Sequence, residues 1–164
     1  MQYISLENSE YFSTFSGVSV SRKEEENWGD EIAYIVPSDF AGITGVACIS
    51  ETNRMLSQIG VDKARNRICQ IGTVLLQRTG HRIPRIGILR VPAVVSHYFL
   101  GVNVTDENLL LPDYVATMLN STKEQISHFS VGSAMPYLKR ETLLSMQVPL
   151  ISIEEQKRII SNFE

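Results

Sequence analysis

The sequence lacks the features that mark membrane, exported and disulfide-linked proteins. No uninterrupted apolar run approaches the roughly 20 residues that a membrane helix needs. The first twelve residues, MQYISLENSEYF, have neither a basic start nor an apolar stretch of signal-peptide length. Cys48 and Cys69 are far apart and form no C-x-x-C pair, so we interpret them as buried thiols in a reducing compartment. These absences predict a cytoplasmic protein with no membrane partner.

Catalytic and metal-binding motifs are missing as well. The chain has no G-x-x-x-x-G-K-[ST] loop, no H-E-x-x-H and no G-x-S-x-G. MPYL at 135–138 has only one of the two prolines that the base-receiving motif of a DNA adenine methyltransferase requires. His81, His97 and His128 lack a ligand spacing, and the three consecutive carboxylates at 24–26 cannot all face one cation. We therefore predict a chain with no catalytic residues, no metal and no cofactor.

Positive charge is in slight deficit overall but is concentrated in the middle of the chain. The formal net charge is −3. Residues 54–90 nevertheless carry eight basic side chains against one acidic, whereas residues 1–51 carry two basic and nine acidic. Seven of those eight basic residues are arginine, whose planar guanidinium suits phosphate oxygens and the guanine edge. The block indicates either a nucleic-acid surface or a solvated face whose arginines pair with the acidic first third.

Short β-branched runs, broken by glycine and proline, dominate from residue 67 to about residue 105. Before them, the patterns predict strands over Ile32–Val36 and 43–50, an exposed loop over 23–31, and a short helix or loop over 51–60.

The pattern becomes helical after residue 110. Pro112 suits the first position of a helix over DYVATMLNST, TKEQISHF and RETLLSM indicate two shorter helical pieces, and MQVPLI suits an extended edge. We therefore predict an α+β fold in which an irregular β-rich sheet is joined by two or three helices toward the C-terminus.

Four motifs follow one another in the last fifty residues. They are a helix that begins at a proline, a G-[ST]-x-[QM]-x-x-[IL] loop, a leucine-bearing turn, and an apolar phrase of the form iPlPpleEQ.kI. The residues that carry them are Leu111, Pro112, Tyr114, Leu119, Gly132, Ser133, Met135, Leu138, Leu143, Leu144, Val148, Pro149, Leu150, Ile153, Glu155, Gln156 and Ile159. This order closely resembles the target-recognition domain of type I restriction-modification specificity subunits.

Upstream segments fit the same family in the right order but more loosely. They are FSGVSVSR, AYIVPSDF and QIGTVLLQRTGHRIPRIGIL. The chain departs from the family pattern at Thr73, where an aspartate is usual, and at Ser152, where the second proline of the closing phrase is usual.

The resemblance implies a non-catalytic, sequence-specific DNA-binding module that reads one half of a bipartite target. It would direct a separate DNA adenine methyltransferase to double-stranded DNA and, in a larger complex, a restriction subunit. It also implies that residues 1–151 form the recognition domain and that 152–164 begin a spacer helix, which would contact a second recognition domain or a second copy of the chain.

Candidate DNA contacts come from the arginine block and from the glycine-containing loop near residue 132. We expect five arginines to lie along one DNA-facing surface: Arg65, Arg67, Arg78, Arg82 and Arg85. Four further candidates follow in the later loop: Ser133, Tyr137, Lys139 and Arg140.

The spacer helix is expected to start at Ile153, because Ser152 and Glu155 form an S-x-x-E capping box. Residues expected to face a partner along a coiled-coil seam are Ile153, Gln156, Ile159, Ile160 and Phe163. Two alternatives stay open on the sequence alone: a protein-docking module that uses the acidic first third, and the recognition domain of a fused type II methyltransferase-nuclease.

Overall fold

Ten short strands form three sheets in the computed structural model, which describes residues 1–163. The strands are β1 (Gln2–Ser5), β2 (Phe12–Ser16), β3 (Trp28–Ile35), β4 (Ala47–Ile49), β5 (Met55–Leu56), β6 (Val74–Gln77), β7 (Arg85–Leu89), β8 (Ala93–Val95), β9 (Phe99–Val104) and β10 (Gln147–Leu150). The described helices are α1 (Gln58–Lys63), α2 (Pro112–Thr122), α3 (Glu124–Ser127), α4 (Arg140–Leu144) and α5 (Ile153–Asn162). Two 3-10 turns, Glu25–Asn27 and Pro37–Phe40, complete the described elements.

The central sheet has the strand order β2-β9-β6-β7-β4. Its pairings are antiparallel except for that of β4 with β7. Every residue of β6 is buried, as expected for a strand in the middle of a sheet that is covered on both faces. A second sheet, β5-β3-β8, packs beside it, and β1 pairs with β10 in a separate two-stranded ribbon.

Helix α2 covers one face of the central sheet. Its first residue is Pro112, as the sequence predicts, because a missing N–H costs nothing at that position. Tyr114 is fully buried in the main core, and its hydroxyl donates to the carbonyl oxygen of Pro149 at 2.7 Å. The helix is thereby joined to β10, the last strand of the fold.

The predicted α+β architecture is confirmed, with irregular sheets and most of the helical residues toward the C-terminus. Two local predictions differ from the structure. Residues 23–31 are not a plain loop, because β3 already begins at Trp28. Residues 51–60 hold both β5 and the start of α1. The side chain of Ser57 caps that helix by accepting a hydrogen bond from the backbone N–H of Gly60 at 3.2 Å.

Helix α5 begins at Ile153, as predicted, and the Ser152 hydroxyl accepts from the N–H of Glu155 at 3.2 Å. The reciprocal bond of the expected capping box is not made among the described residues. Ile159 and Ile160 pack against the main core, so the turns after the predicted boundary at Ser152 pack on the domain. Glu164, the last residue of the predicted spacer segment, lies outside the described residues. None of the described helices has the length and apolarity to cross a membrane.

Candidate nucleic-acid interface

The loop between β6 and β7, residues 78–84, separates two clefts. Cleft A, of about 750 Å³, lies beside Thr79 and Gly80 and is closed by the segments 19–23, 36–38 and 96–98. Cleft B, of about 380 Å³, is lined by His81, Arg82 and Arg85 and is closed by residues from the turn before β4. Successive residues of the loop and of its ends therefore line two different clefts.

Both clefts are basic. Cleft A is lined by Arg22, Lys23, Arg54 and His97, and cleft B by His81, Arg82, Arg85 and Lys123. No aspartate or glutamate is among the described residues that line either cleft. Within residues 1–163, the ion pairs involve Lys63 and Arg90 and none of these cations. The positive charge of the two clefts is thus not neutralised by ion pairs within the described residues.

Arg85 has a structural role at the edge of cleft B. Its guanidinium donates to the carbonyl oxygen of Phe40 and, at 3.4 Å, to that of Ile43. It also lies over the Phe40 ring, 5.6 Å from the ring centre. Burial, with the charge of nearby Arg82, lowers the pKa of Arg85 below its usual range. Two close guanidinium groups without a carboxylate would be stabilised by a bound anion.

Arg82 is exposed and occupies the left-handed region, with φ of 61°. Residues other than glycine rarely adopt this conformation, and those that do are concentrated at functional sites. The exposed side chain of Arg82 forms no ion pair within residues 1–163 and is available to an anion.

Arg78 joins the β6–β7 loop to a second loop, residues 131–138. Its Nε donates to the carbonyl oxygen of Leu138 at 3.2 Å, and its own carbonyl accepts from the N–H of Leu138 at 2.8 Å. Val131 and Tyr137 exchange two backbone hydrogen bonds, of 2.8 and 2.9 Å, across the second loop. Ser133 is exposed. Tyr137 is 41% exposed and is therefore a surface aromatic. Gly80 in the first loop and Gly132 in the second have positive φ angles.

Of the five arginines predicted to face DNA, Arg82 and Arg85 line cleft B, whereas the other three line neither cleft. Arg65 lies just after α1, and Arg67 lines a separate cavity with Phe15 and Asn103. Cys69, two residues later, pairs with Ala93 at the start of β8, whereas cleft A lies beyond the last residue of that strand. Sequence proximity therefore overstated their proximity in space.

Lys139 and Arg140, which are adjacent in sequence, have different surroundings. Lys139 is exposed just before α4, whereas Arg140 donates to the hydroxyl of Thr14 on β2 at 2.9 Å. The guanidinium of Arg140 is thus partly committed to holding α4 against the sheet.

Gln156 does not face a partner. Its side chain is wholly buried. Its oxygen accepts from the N–H of Leu111 at 2.9 Å, and its nitrogen donates to the carbonyl oxygens of Leu109 and Ile151 at 2.9 and 3.0 Å. Among the other predicted seam residues, Ile153, Ile159 and Ile160 are half-buried, and Phe163 is 69% exposed. The described turns of α5 therefore direct much of their apolar face toward the domain.

A family model for the type I restriction modification DNA specificity domain matches residues 10–164. The chain belongs to this family. The predicted resemblance is confirmed. Specificity subunits are the non-catalytic components of type I systems, and the prediction that this specificity domain is not itself an enzyme agrees with that membership.

The similar protein with a curated function is longer than this specificity domain. The specificity subunit of the type I restriction enzyme MjaIX from Methanocaldococcus jannaschii is 29% identical over 143 residues, which cover 87% of this chain and 33% of the relative. The specificity domain thus spans about a third of the length of that relative.

Solved structures share the fold. A chain from a structure on complex assembly and conformational transition of the type I R-M system has a TM-score of 0.71 at 15% identity, with 98% of this chain and 36% of that chain covered. A type I restriction-modification S subunit from M. genitalium has a TM-score of 0.67 at 13% identity, with 98% and 37% covered. The HsdS subunit from Thermoanaerobacter tengcongensis has a TM-score of 0.63 at 14% identity, with 98% and 35% covered.

Sequence reasoning missed several residues of the two clefts in this specificity domain. They are Arg22, Lys23, Lys123, Gln77 and Ser96, while Arg54 and His97 were noticed without a role. They come from segments far apart in sequence, so charge clustering along the chain carried no signal for them. A strand-end position, as for Gln77 and Ser96, is the one local feature that pointed toward a site.

Proposed function

We propose that this specificity domain binds duplex DNA through cleft A, cleft B and the β6–β7 loop between them. The observation that carries the proposal is the set of eight basic and histidine side chains that line the two clefts without an aspartate or glutamate among the described lining residues. Such a surface attracts phosphate and releases the counterions of DNA, which supplies most of the sequence-independent affinity.

The arrangement of the β6–β7 loop and the two clefts suggests how the duplex is held. The major groove of B-DNA is about 12 Å wide and admits elements as broad as a two-stranded β-ribbon. The β6–β7 loop, residues 78–84, connects two paired antiparallel strands and lies between two basic clefts. In this arrangement the loop enters the groove with Arg82 near the base edges, and each cleft receives one sugar-phosphate backbone.

The other residues predicted to contact DNA have supporting roles in this proposal. Ser133, Tyr137 and Lys139 are exposed near the β6–β7 loop or just after the second loop, where they would contact the backbone. Arg78, Arg85 and Arg140 act mainly by holding the loops in position. Arg65 and Arg67 would reach only DNA that extends past cleft A.

Within a complete system, we propose that the domain reads one half of a bipartite target and directs a separate adenine methyltransferase, together with a restriction subunit, to it. Family membership and the third of a relative's length that the chain spans support this role. The exposed side of α5, together with the exposed Phe163 that follows the helix, is the surface we propose for a second recognition domain or another subunit.

A salt titration of DNA binding tests the proposal. Fluorescence anisotropy would compare the wild type with a double variant, Arg82→Ala with Lys123→Ala, on duplexes bound by the wild type. Each lost phosphate contact should reduce the slope of log affinity against log salt by about 0.9. The matched control is Lys157→Ala with Arg158→Ala, which removes the same charge from the exposed side of α5.

We expect weaker binding and a smaller slope for the first variant and little change for the control. Equal losses in both would show that only net charge matters and would overturn the assignment of the face. Selection of bound duplexes from a random pool would then define the bases that are read.

A further inference from the structure

We propose that cleft A holds one unstacked nucleotide of the bound DNA, whose amino group donates its hydrogens to the Oε1 atom of Gln77 and the Oγ atom of Ser96. This inference rests on the proposed function, since the nucleotide belongs to the DNA strand that follows cleft A. It adds a base-binding pocket to a surface that otherwise recognises the duplex from outside.

Two polar side chains on the floor of the cleft lack partners. Gln77 is 5% exposed and Ser96 is 1% exposed, and both line cleft A. The Oε1 atom of Gln77 and the Oγ atom of Ser96 are buried without a hydrogen-bond partner in the described part of the chain. Buried polar atoms are nearly always satisfied, so these two oxygens indicate a group that enters from the cleft.

The orientation of the Gln77 amide determines what that group must offer. Its Nε2 donates to the carbonyl oxygen of Thr79 at 2.9 Å. Rotation of the amide by half a turn would place two oxygens against each other, so Oε1 is the free atom. A carbonyl oxygen only accepts hydrogen bonds, which excludes a phosphate oxygen as its partner and favours an amino group.

The remaining walls suit a nucleotide. Cleft A, at about 750 Å³, is within the range of small-ligand sites. The rings of His97 and Tyr98 lie 4.2 Å apart at its side, and the exposed side chain of Met135 lies at its edge. Aromatic and apolar walls with a few polar atoms at the base edge are typical of pockets for extrahelical bases.

Cations surround the same cleft. Arg22, Lys23 and Arg54 line it, and no ion pair in residues 1–163 involves them. They would hold the phosphates on either side of the unstacked nucleotide, which adds to the few contacts that the base itself makes.

The test uses duplexes with one unpaired base. One group is removed from each partner of the contact: the amino group from the base and the hydroxyl from Ser96. The DNA series comprises a fully paired duplex, the same duplex with one bulged adenine, and that duplex with purine in place of the adenine, which lacks the amino group. The protein series comprises the wild type and Ser96→Ala, which removes the unpartnered hydroxyl and no hydrogen bond within the described protein. Affinity is measured by anisotropy, and stability by thermal unfolding.

We expect the wild type to bind the bulged adenine about three- to tenfold more tightly than the bulged purine, as one or two neutral hydrogen bonds provide. Ser96→Ala should reduce this preference for the bulged adenine over the bulged purine and leave Tm equal or higher. A free mononucleotide serves as a further ligand: competition by adenosine monophosphate alone at similar affinity would show a nucleotide site that is not specific to DNA and would overturn the DNA assignment.

Two other results would overturn the inference. One is equal affinity of the wild type for the adenine and purine bulges. The other is a lower Tm of Ser96→Ala with an unchanged base preference, which would show that internal water satisfies the two oxygens. Salt-dependent binding of the paired duplex would persist in both cases, whereas its absence would contradict the proposed function itself.

Discussion

The side-chain oxygen of Gln156 accepts a hydrogen bond from the backbone N–H of Leu111, 45 residues earlier, at 2.9 Å. The same amide donates to the carbonyl oxygens of Leu109 and Ile151. One buried side chain therefore joins α5 to the segment before α2 and to the end of β10. The orientation of α5 on the domain is therefore fixed in part by hydrogen bonds from one side chain to three backbone groups.

Gln156→Leu should destabilise the domain strongly. Leucine preserves much of the volume but leaves the Leu111 N–H and two carbonyl oxygens unpaired in the interior. We expect the free energy of unfolding, measured by urea denaturation, to fall by about 2–4 kcal/mol. Lys157→Ala, one residue later and exposed, should change it by less than about 0.5 kcal/mol. Similar values for the two variants would contradict the role of the buried amide.

Ser152→Ala should lower the stability of α5 through its first turn. The Ser152 hydroxyl accepts from the Glu155 N–H, which has no partner within the helix. Loss of such a cap costs about 1 kcal/mol, which is measurable as a lower free energy of unfolding. Ser161→Ala is the control, because its hydroxyl donates to the carbonyl oxygen of Lys157, which the helix can satisfy without it. A control that loses as much as Ser152→Ala would argue against the cap.

Tyr114 should make stability depend on pH in alkaline solution. Burial, aided by Tyr3 and Glu155, raises the pKa of Tyr114 to about 12 from the ordinary value of 10.0. The folded state thus keeps this proton more firmly than the unfolded state. The resulting stabilisation is complete below pH 10 and is lost as the pH rises through about 12.

Tyr114→Phe provides the comparison for that pH dependence. The variant loses the hydrogen bond to the Pro149 carbonyl and should be less stable by about 1 kcal/mol near neutral pH. Urea denaturation from pH 8 upward should show the difference between wild type and variant shrinking above about pH 10. A difference that stays constant to pH 11.5 would rule out the raised pKa.

Gly80→Ala should distort the β6–β7 loop. Gly80 has φ of +127°, and an added Cβ would lie 2.9 Å from the Nε2 atom of Gln77. We expect a loss of about 1–3 kcal/mol of stability and weaker DNA binding. Gly72→Ala is the matched control, since Gly72 also has positive φ, of +94°, lines neither cleft, and would bring the added Cβ only to an ordinary contact distance of 3.6 Å from Pro112. Equal losses would attribute the whole effect to backbone strain.

Local signals predicted the C-terminal half of the fold well. Pro112 at the start of α2 and Ser152 at the cap of α5 act on residues within one turn, so a sequence reveals them directly. The pairing of Met55 and Leu56 with β3 depends on residues about 25 positions away, and the sequence pattern left that segment undecided between helix and loop.

The candidate interface was less accessible to sequence reasoning, because side-chain partners decide which cations are free. Arg85 is largely engaged with the carbonyl of Phe40, while Arg82, three residues earlier, is exposed. Arg22 and Arg54 meet in cleft A only because the second sheet folds their segments together. The charge distribution along the sequence indicated a basic segment, but the tertiary structure determines which of its arginines line the two clefts.

The ribbon of β1 and β10 brings residues 2–5 alongside residues 147–150, directly before α5. The first and last strands of the fold therefore lie side by side, and neither contributes a residue to the described lining of cleft A or cleft B. Substitutions in the loops that line the clefts should leave this pairing and the start of α5 in place. The surface proposed for DNA and the ribbon beside α5 are thus built from different residues, so the sequence of one can change without the other.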